Sequence, residues 1–274
     1  MTASFTLDSF FSQLWSDYIQ MAPQAENIYQ LFRKDNPNVE NDHVAFRTWD
    51  HPLINIEKLE THFMSLGYQR FAPYEFKEKK LRAYGYIHST QANAPRIFLS
   101  ELKTNELSPA SQAIIQKITQ QIPEQAYKDI SVFWRGPLWQ KISWADYQVL
   151  AKESEYAAWL AVIGIRVNHF TVSINSLKQP TTVAGVIERV EAAGFTVNSS
   201  GGKLKGGPSE LLEQASTMAD QIMVEFVDDN KISKHQVPSC YYEFAKRYKD
   251  ANGKLYQGFV AASADKIFES TNKK

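Results

Sequence analysis

Two stretches of this chain open alike, and that recurrence limits the folds available to it more than any other feature. Residues 41–49 (Asn-Asp-His-Val-Ala-Phe-Arg-Thr-Trp) and 164–174 (Gly-Ile-Arg-Val-Asn-His-Phe-Thr-Val-Ser-Ile) are rich in β-branched and aromatic residues and read as strands. Each carries a histidine beside an asparagine, Asn41-x-His43 in one and Asn168-His169 in the other. A helical pattern follows each, over 56–66 and 182–193, and each stops at a glycine. Gly67 lies 24 residues after His43, and Gly194 lies 25 after His169. Further strands are expected at 68–71, 81–88 and 96–102 in the first copy, and at 195–198, 222–227 and 240–248 in the second. The chain is therefore expected to be an α+β protein of one domain, 1–274, in which a duplicated β-α-β-β-β unit (39–104 and 163–260) closes into a cupped sheet.

The remaining segments read as additions to that core. Leu7, Phe10, Phe11, Leu14 and Tyr18, then Ile28, Leu31 and Phe32, recur at three- and four-residue spacing with Pro23 between the groups. That pattern predicts two N-terminal helices within 1–38. Residues 105–162 read as a helical insertion: Ser108-Pro109 opens a helix carrying Ile114, Ile115 and Ile118, and 130–159 is dense in tryptophan. Such indoles fill a core or line a pocket, and the core is the favoured reading. Gly201-Gly202-Lys203-Leu204-Lys205-Gly206-Gly207-Pro208 lacks the Gly-x4-Gly-Lys-Ser/Thr spacing of a phosphate loop. It reads as a mobile flap, near enough to Ser209, Gln214 and Ser216 to cover a substrate.

Charge narrows the partners. Lysine plus arginine (30) equals aspartate plus glutamate (30), so no overall field draws nucleic acid or an anionic membrane. One cysteine, Cys240, allows no intrachain disulfide and no cysteine-rich cluster, and it reads as a buried thiol. Residues 1–20 contain Asp8 and Asp17 and lack both a basic start and an unbroken apolar run, so neither a signal peptide nor a membrane span is expected, and the location expected is cytoplasmic.

The chemistry lies on one strand face. Side chains alternate across a strand, so His43, Ala45 and Arg47 share a side while Val44, Phe46 and Thr48 take the other. Equivalent strands in a closed duplicated sheet bring His43 and His169 together. The last strand of the second unit offers Glu243 and that of the first offers Glu101; Glu225, in Met223-Val224-Glu225-Phe226, alternates as well as Glu243 does, and pattern alone does not choose between those two. Two imidazoles and one carboxylate leave three coordination positions open, the arrangement of non-haem Fe(II) oxygenases. Arg47 supplies a guanidinium that can pair with a carboxylate held beside that metal. His51, His62, His88 and His235 have no counterpart in the other copy and read as solvated or satisfied.

In combination, His-Val-Ala-Phe-Arg-Thr at 43–48, Asn-His-Phe-Thr at 168–171, Gly-Gly-Pro-Ser-Glu-Leu-Leu-Glu-Gln-Ala-Ser at 206–216 and Tyr-Tyr-Glu-Phe-Ala-Lys-Arg-Tyr at 241–248 resemble the 2-oxoadipate dioxygenase/decarboxylase family, formerly a domain of unknown function. The likeness runs from the N-terminal helices to Phe259. It implies a fold related to the vicinal oxygen chelate proteins and iron held by His43, His169 and Glu243, which decides the contest with Glu225. Arg47 matches the family's arginine and would bind a substrate carboxylate. The implied reaction is an O2-dependent oxidative decarboxylation of 2-oxoadipate to 2-hydroxyglutarate and CO2, as in lysine catabolism, with Fe(II) as cofactor, or Zn or Mn in a purified sample. The 2-oxo acid would chelate the iron and supply the electrons itself. This chain is expected to be considerably shorter than the characterised members, which leaves room for a different 2-oxo acid. Alternatives on the same fold are a metal-dependent hydrolase or isomerase and a non-catalytic metabolite-binding protein.

Overall fold

The computed structural model describes residues 5–229 and 231–271. Thr6 caps α1 (Leu7–Met21) by accepting from the Ser9 amide, and Pro23 opens α2 (Pro23–Arg33), where a missing N–H is no loss. The first half follows as β1 (Asn41–Trp49), α3 (Ile56–Ser65), β2 (Tyr68–Phe76), β3 (Leu81–His88) and β4 (Arg96–Leu102). Helices α4 (Pro109–Thr119), α5 (Trp144–Glu153) and α6 (Glu155–Ile163) form the insertion. The second half contains β5 (Val167–Ser173), α7 (Val183–Ala192), β6 (Lys205–Gly207), β7 (Leu212–Ser216), β8 (Gln221–Asp228), β9 (Lys231–Pro238) and β10 (Tyr241–Arg247), and α8 (Ala261–Phe268) follows it.

Eight strands make one curled sheet in the order β2-β3-β4-β1-β5-β10-β7-β6. At its seam β1 runs antiparallel to β5, and each pairs in parallel with the last strand of its own half, β4 or β10. The outer pairs are antiparallel in both halves. The duplication read from the sequence is therefore present in the connectivity. Gly67 (φ +93°) and Gly194 (φ +91°) follow α3 and α7 in the left-handed region that favours glycine.

The second half departs from expectation at three places. Residues 195–198 contribute only the isolated bridge Val197–Thr217, and their expected place in the sheet is taken by β6 and β7. Part of the expected flap is strand: Lys205–Gly207 pairs with Leu212–Gln214. Glycine and polar residues give these segments little strand propensity, so their pairing and burial, not their composition, set the conformation. The strand expected at 222–227 exists as β8, but it leaves the sheet and pairs only with β9. Phe226 anchors this hairpin against Trp144 and Tyr147, with ring centroids 5.0 and 5.3 Å away.

Alternation along the central strands separates the two sides of the sheet. Phe170 meets Trp15 and Tyr18 of α1 at 5.2 and 5.1 Å, and Phe244 meets Phe32 of α2 at 5.9 Å. His43, His169 and Glu243 point to the opposite side. A one-residue slip of β5 would put His169 among the α1 aromatics and displace Phe170, at roughly 2–3 kcal/mol for each large apolar side chain exposed. Of the insertion's four indoles, Trp139 and Trp159 are buried and Trp139 stacks on Trp49 at 5.0 Å, while Trp134 and Trp144 are half-buried, so the stretch serves the core in part and, through Trp144 and Trp159, an open groove. No helix among the described residues is long and apolar enough to cross a membrane.

Candidate metal centre

His43 on β1, His169 on β5 and Glu243 on β10 come from three neighbouring strands. The register brings them together: His43 pairs with Thr171, Ala45 with His169, and Thr171 with Glu243. The β1–β5 ladder shifts on both sides of this point, between Asn41 and His43 and between Ala45 and Phe46, irregularities of the kind that re-aim side chains. One ligand atom from each of the three buried residues lies within 4.8 Å of the other two. His43 Nε2 is 3.4 Å from Glu243 Oε1, and His169 Nε2 is 3.3 Å from Oε2.

The protons decide whether these groups suit a cation. His43 Nδ1 lies 2.8 Å from Asp42 Oδ1, and His169 Nδ1 lies 3.1 Å from Asn168 Oδ1. Burial alone would raise the Asp42 carboxyl, but the Arg247 guanidinium and His43 hold it far below the usual carboxylate range. An ionised carboxylate only accepts, so His43 Nδ1 carries the hydrogen and Nε2 presents its lone pair. The Thr171 hydroxyl, 3.0 Å away, donates to that Nε2. Burial, with the Arg47 guanidinium adding to it, pushes His169 well below the ordinary histidine value, so its imidazole is neutral. Two acceptor nitrogens and a carboxylate thus converge on one small space, where the Thr171 hydroxyl satisfies one nitrogen and a cation would satisfy all three. The donor set fits a divalent metal, with Asp42 and Asn168 orienting the imidazoles from behind. Burial raises the Glu243 carboxyl, a shift that a bound dication reverses. Gln214 Nε2 donates to Glu243 Oε1 at 2.6 Å, while the buried Gln214 Oε1 has no partner among the described residues.

The space beside the triad measures about 20 Å³ and is lined also by Phe98, Gln214, Tyr241, Phe259, Ile267 and Phe268. Tyr241 stacks on His169 at 4.6 Å, and Phe259 stands edge-on to His43 at 4.9 Å. An open groove of about 410 Å³, lined by Trp144, Tyr147, Glu155, Trp159 and Thr271, contains none of the triad. The three converging ligand atoms face the smaller space. Arg47 lies just beyond Phe268, whose ring centroid is 5.7 Å from the guanidinium carbon. It donates to Glu155 Oε2 at 3.0 Å and Thr271 Oγ1 at 3.1 Å, and its buried Nε has no partner among the described residues.

Other sequence candidates stay outside. Glu225 sits on the β8–β9 hairpin, paired with Lys141 and, at 3.3 Å, with Lys234. Glu101 is buried but faces α3, accepting from the Ile56 amide at 2.8 Å and from Arg82 Nε at 2.6 Å. His51 accepts from the Leu53 amide, His62 meets the Tyr127 carbonyl, His88 accepts from the Thr90 and Gln91 amides, and His235 stacks on Trp144. The counterpart of Asn168 is Asp42, not Asn41: each directly precedes its histidine and meets its Nδ1. That acceptor-histidine dipeptide, repeated at 42–43 and 168–169, was the signal for the orienting residues. Arg247 shares a strand face with Glu243 by spacing, and nothing in the sequence gave its partner.

Residues 10–250 match the family described as 2-oxoadipate dioxygenase/decarboxylase. The chain belongs to the 2-oxoadipate dioxygenase/decarboxylase family. It is similar to the rice (Oryza sativa subsp. japonica) protein named 2-oxoadipate dioxygenase/decarboxylase, chloroplastic/amyloplastic, at 37% identity over 292 residues, 97% of this chain and 79% of that one. The crystal structure of the hydroxyglutarate synthase in complex with 2-oxoadipate from Oryza sativa matches with a TM-score of 0.88 at 34% identity, covering 96% of this chain and 91% of that one. A structure from Shewanella frigidimarina NCIMB 400, given a provisional hydrolase label, matches at 44% identity with a TM-score of 0.87, over 93% of this chain and 98% of that one. A glyoxalase-superfamily structure from Ralstonia eutropha JMP134, with 19% identity, a TM-score of 0.78 and coverage of 93% and 86%, shares the fold and places this cupped sheet among vicinal oxygen chelate-like architectures. The chain spans 79% of the rice relative's own length, as expected from sequence, and 91% and 98% of the two solved chains.

Proposed function

We propose that this protein is an Fe(II)-dependent dioxygenase that converts 2-oxoadipate and O2 into 2-hydroxyglutarate and CO2. In this reading His43, His169 and Glu243 hold the metal and Arg47 receives a substrate carboxylate. The observation that carries it is the convergence of two imidazole lone pairs and one carboxylate within 4.8 Å, in a chain of this family. The rice relative that binds 2-oxoadipate supports the substrate.

A bound Fe(II) would supply Lewis acidity toward a 2-oxo acid and one-electron chemistry toward O2, which no side chain here offers. The protein's part is positioning. Asp42 and Asn168 keep both imidazoles in the tautomer that frees Nε2, and Gln214 fixes the Glu243 carboxylate. Phe98, Tyr241, Phe259 and Phe268 exclude water, which strengthens every electrostatic contact inside. Arg47, a forked cation whose buried Nε has no partner among the described residues, suits one end of a dicarboxylate. The atoms of 2-oxoadipate plus O2 equal those of 2-hydroxyglutarate plus CO2, so no external reductant enters.

The test is O2 uptake with 2-oxoadipate and a panel of other 2-oxo acids, on protein reconstituted anaerobically with Fe(II), with 2-hydroxyglutarate and CO2 measured together. Absence of uptake with every acid refutes the oxygenase. Turnover that persists without O2 favours a Zn or Mn hydrolase or isomerase, and tight binding without turnover favours a metabolite-binding protein. The cytoplasmic location belongs to this reading and is checked by cell fractionation, since the rice relative's name places it in plastids.

A further inference from the structure

Arg247 holds two parts of the molecule with one guanidinium. Its Nε and Nη2 grip Asp42 Oδ2 and Oδ1 at 2.7 and 2.8 Å, while Nη1 donates to the carbonyls of Gly258 at 2.6 Å and Tyr256 at 3.2 Å. The side chain is fully buried, so these partners have no water to fall back on if it lets go. On one side, Asp42 accepts from His43 Nδ1 and thereby aims Nε2 at the triad. On the other, residues 256–259 carry Phe259, which stands against His43, and lead directly into α8, which brings Ile267 and Phe268 over the same space. Arg96 doubles the tie: its Nε and Nη2 donate to Gln257 Oε1 at 3.0 and 2.6 Å, and its Nη1 donates to the Asp42 backbone carbonyl at 3.3 Å. His169 has no such link, since its Nδ1 meets the neutral Asn168.

A space of about 20 Å³ admits a water-sized group and no six-carbon acid, so residues over the triad must move for substrate to enter. We propose that Arg247 is a positioning residue that couples metal binding at His43 to closure of the site by residues 256–268. The coupling rests on the reading of the triad as a metal centre. A cation on Nε2 polarises the imidazole and tightens its Nδ1–H bond to Asp42, which fixes Asp42 against Arg247 and Arg247 against the 256–258 carbonyls. Coupling of this kind is reciprocal: if closure favours the metal, the metal favours closure by the same factor.

The experiment compares the wild type, Arg247→Lys and Asp42→Asn, each with and without Co(II) or Zn(II). Two quantities are read: the metal dissociation constant, by competition with a chelator, and amide hydrogen exchange across 256–268. In the wild type, metal is expected to slow exchange in 256–268. Arg247→Lys keeps the charge but cannot span both partners; it is expected to weaken metal binding about ten- to hundredfold. It also removes the metal-dependent slowing in 256–268 while that around 167–173 persists. If Arg247→Lys does not fold, Asp42→Asn carries the same two expectations. Unchanged metal affinity in the variant, or slowing that survives in 256–268, overturns the coupling. A wild type that takes up no metal overturns the metal-centre reading itself, and does so before any variant is examined.

Discussion

Glu155→Gln offers a decisive view of Arg47. Arg47 is 1% exposed and its one carboxylate partner among the described residues, Glu155, is 17% exposed, with 3.0 Å between Nη1 and Oε2. Glutamine keeps the shape and one acceptor oxygen, so the change removes charge alone. Opposite charges centred about 4 Å apart attract by about 4 kcal/mol at an effective dielectric constant of about 20. The partial exposure of Glu155 reduces this to about 2 kcal/mol, because water screens one partner and relaxes around the other. For a chain of this size that corresponds to a fall in Tm of about 4–8 °C. The same loss leaves Arg47 a buried cation without a counter-charge, so an incoming carboxylate no longer competes with Glu155. Anaerobic Fe(II)-loaded Glu155→Gln is therefore expected to bind 2-oxoadipate about tenfold more tightly than the wild type, a gain of about 1.4 kcal/mol. Calorimetric titration and thermal unfolding, with and without the acid, measure both effects. The reasoning fails if the variant keeps the wild-type Tm, or if the acid binds it more weakly; the second result would mean that Arg47 does not receive the carboxylate.

Other expectations are more direct. Glu243→Ala should lose most bound metal by elemental analysis, whereas Arg47→Ala should keep it and lose substrate use; equal metal loss in both would assign Arg47 wrongly. Gln214→Leu removes the 2.6 Å bond to Glu243 and should weaken metal binding about tenfold in a chelator competition, and unchanged affinity would deny the amide a positioning role. Burial raises Glu243, so in the metal-free protein its contribution to stability is greatest at low pH and is lost as pH rises through the raised value. Burial lowers His169, so its contribution is greatest above the ordinary value of 6.5 and is lost as pH falls below it. Metal needs Glu243 ionised and His169 neutral, so the metal-induced rise in Tm should grow as pH rises through the lowered His169 value and the raised Glu243 value; a flat profile would contradict the ligand set. Cys240 is fully buried and its thiol is pushed up by burial, so a thiol reagent should label it only on unfolding, and rapid labelling of native protein would contradict its placement.

What could be read in advance followed from periodicity. The alternation in β1, β5 and β10 put His43, His169 and Glu243 on one face and Phe46, Phe170 and Phe244 on the other, and two helix-ending glycines marked the repeat. Glu225 was indistinguishable from Glu243 because both alternate with apolar neighbours. The family resemblance favours Glu243, and the structural reason is the departure of β8 from the main sheet, which depends on pairing between distant segments. Glu101 satisfied the same pattern, yet the amide of Ile56 and the guanidinium of Arg82 claim it. β6 and β7 were hidden by glycine and polar residues whose conformation is imposed by neighbouring strands. Arg247 could be placed on a strand, but its grip on Asp42 spans 205 residues, and no local signal records such a contact.

The seam between β1 and β5 has a consequence for how such a centre is inherited. The first half donates a single nitrogen to the triad and the second donates a nitrogen and a carboxylate, so neither half alone owns a complete ligand set. Separately expressed halves should be inert and should recover a full ligand set only on reassociation. Only the two halves together present all three groups.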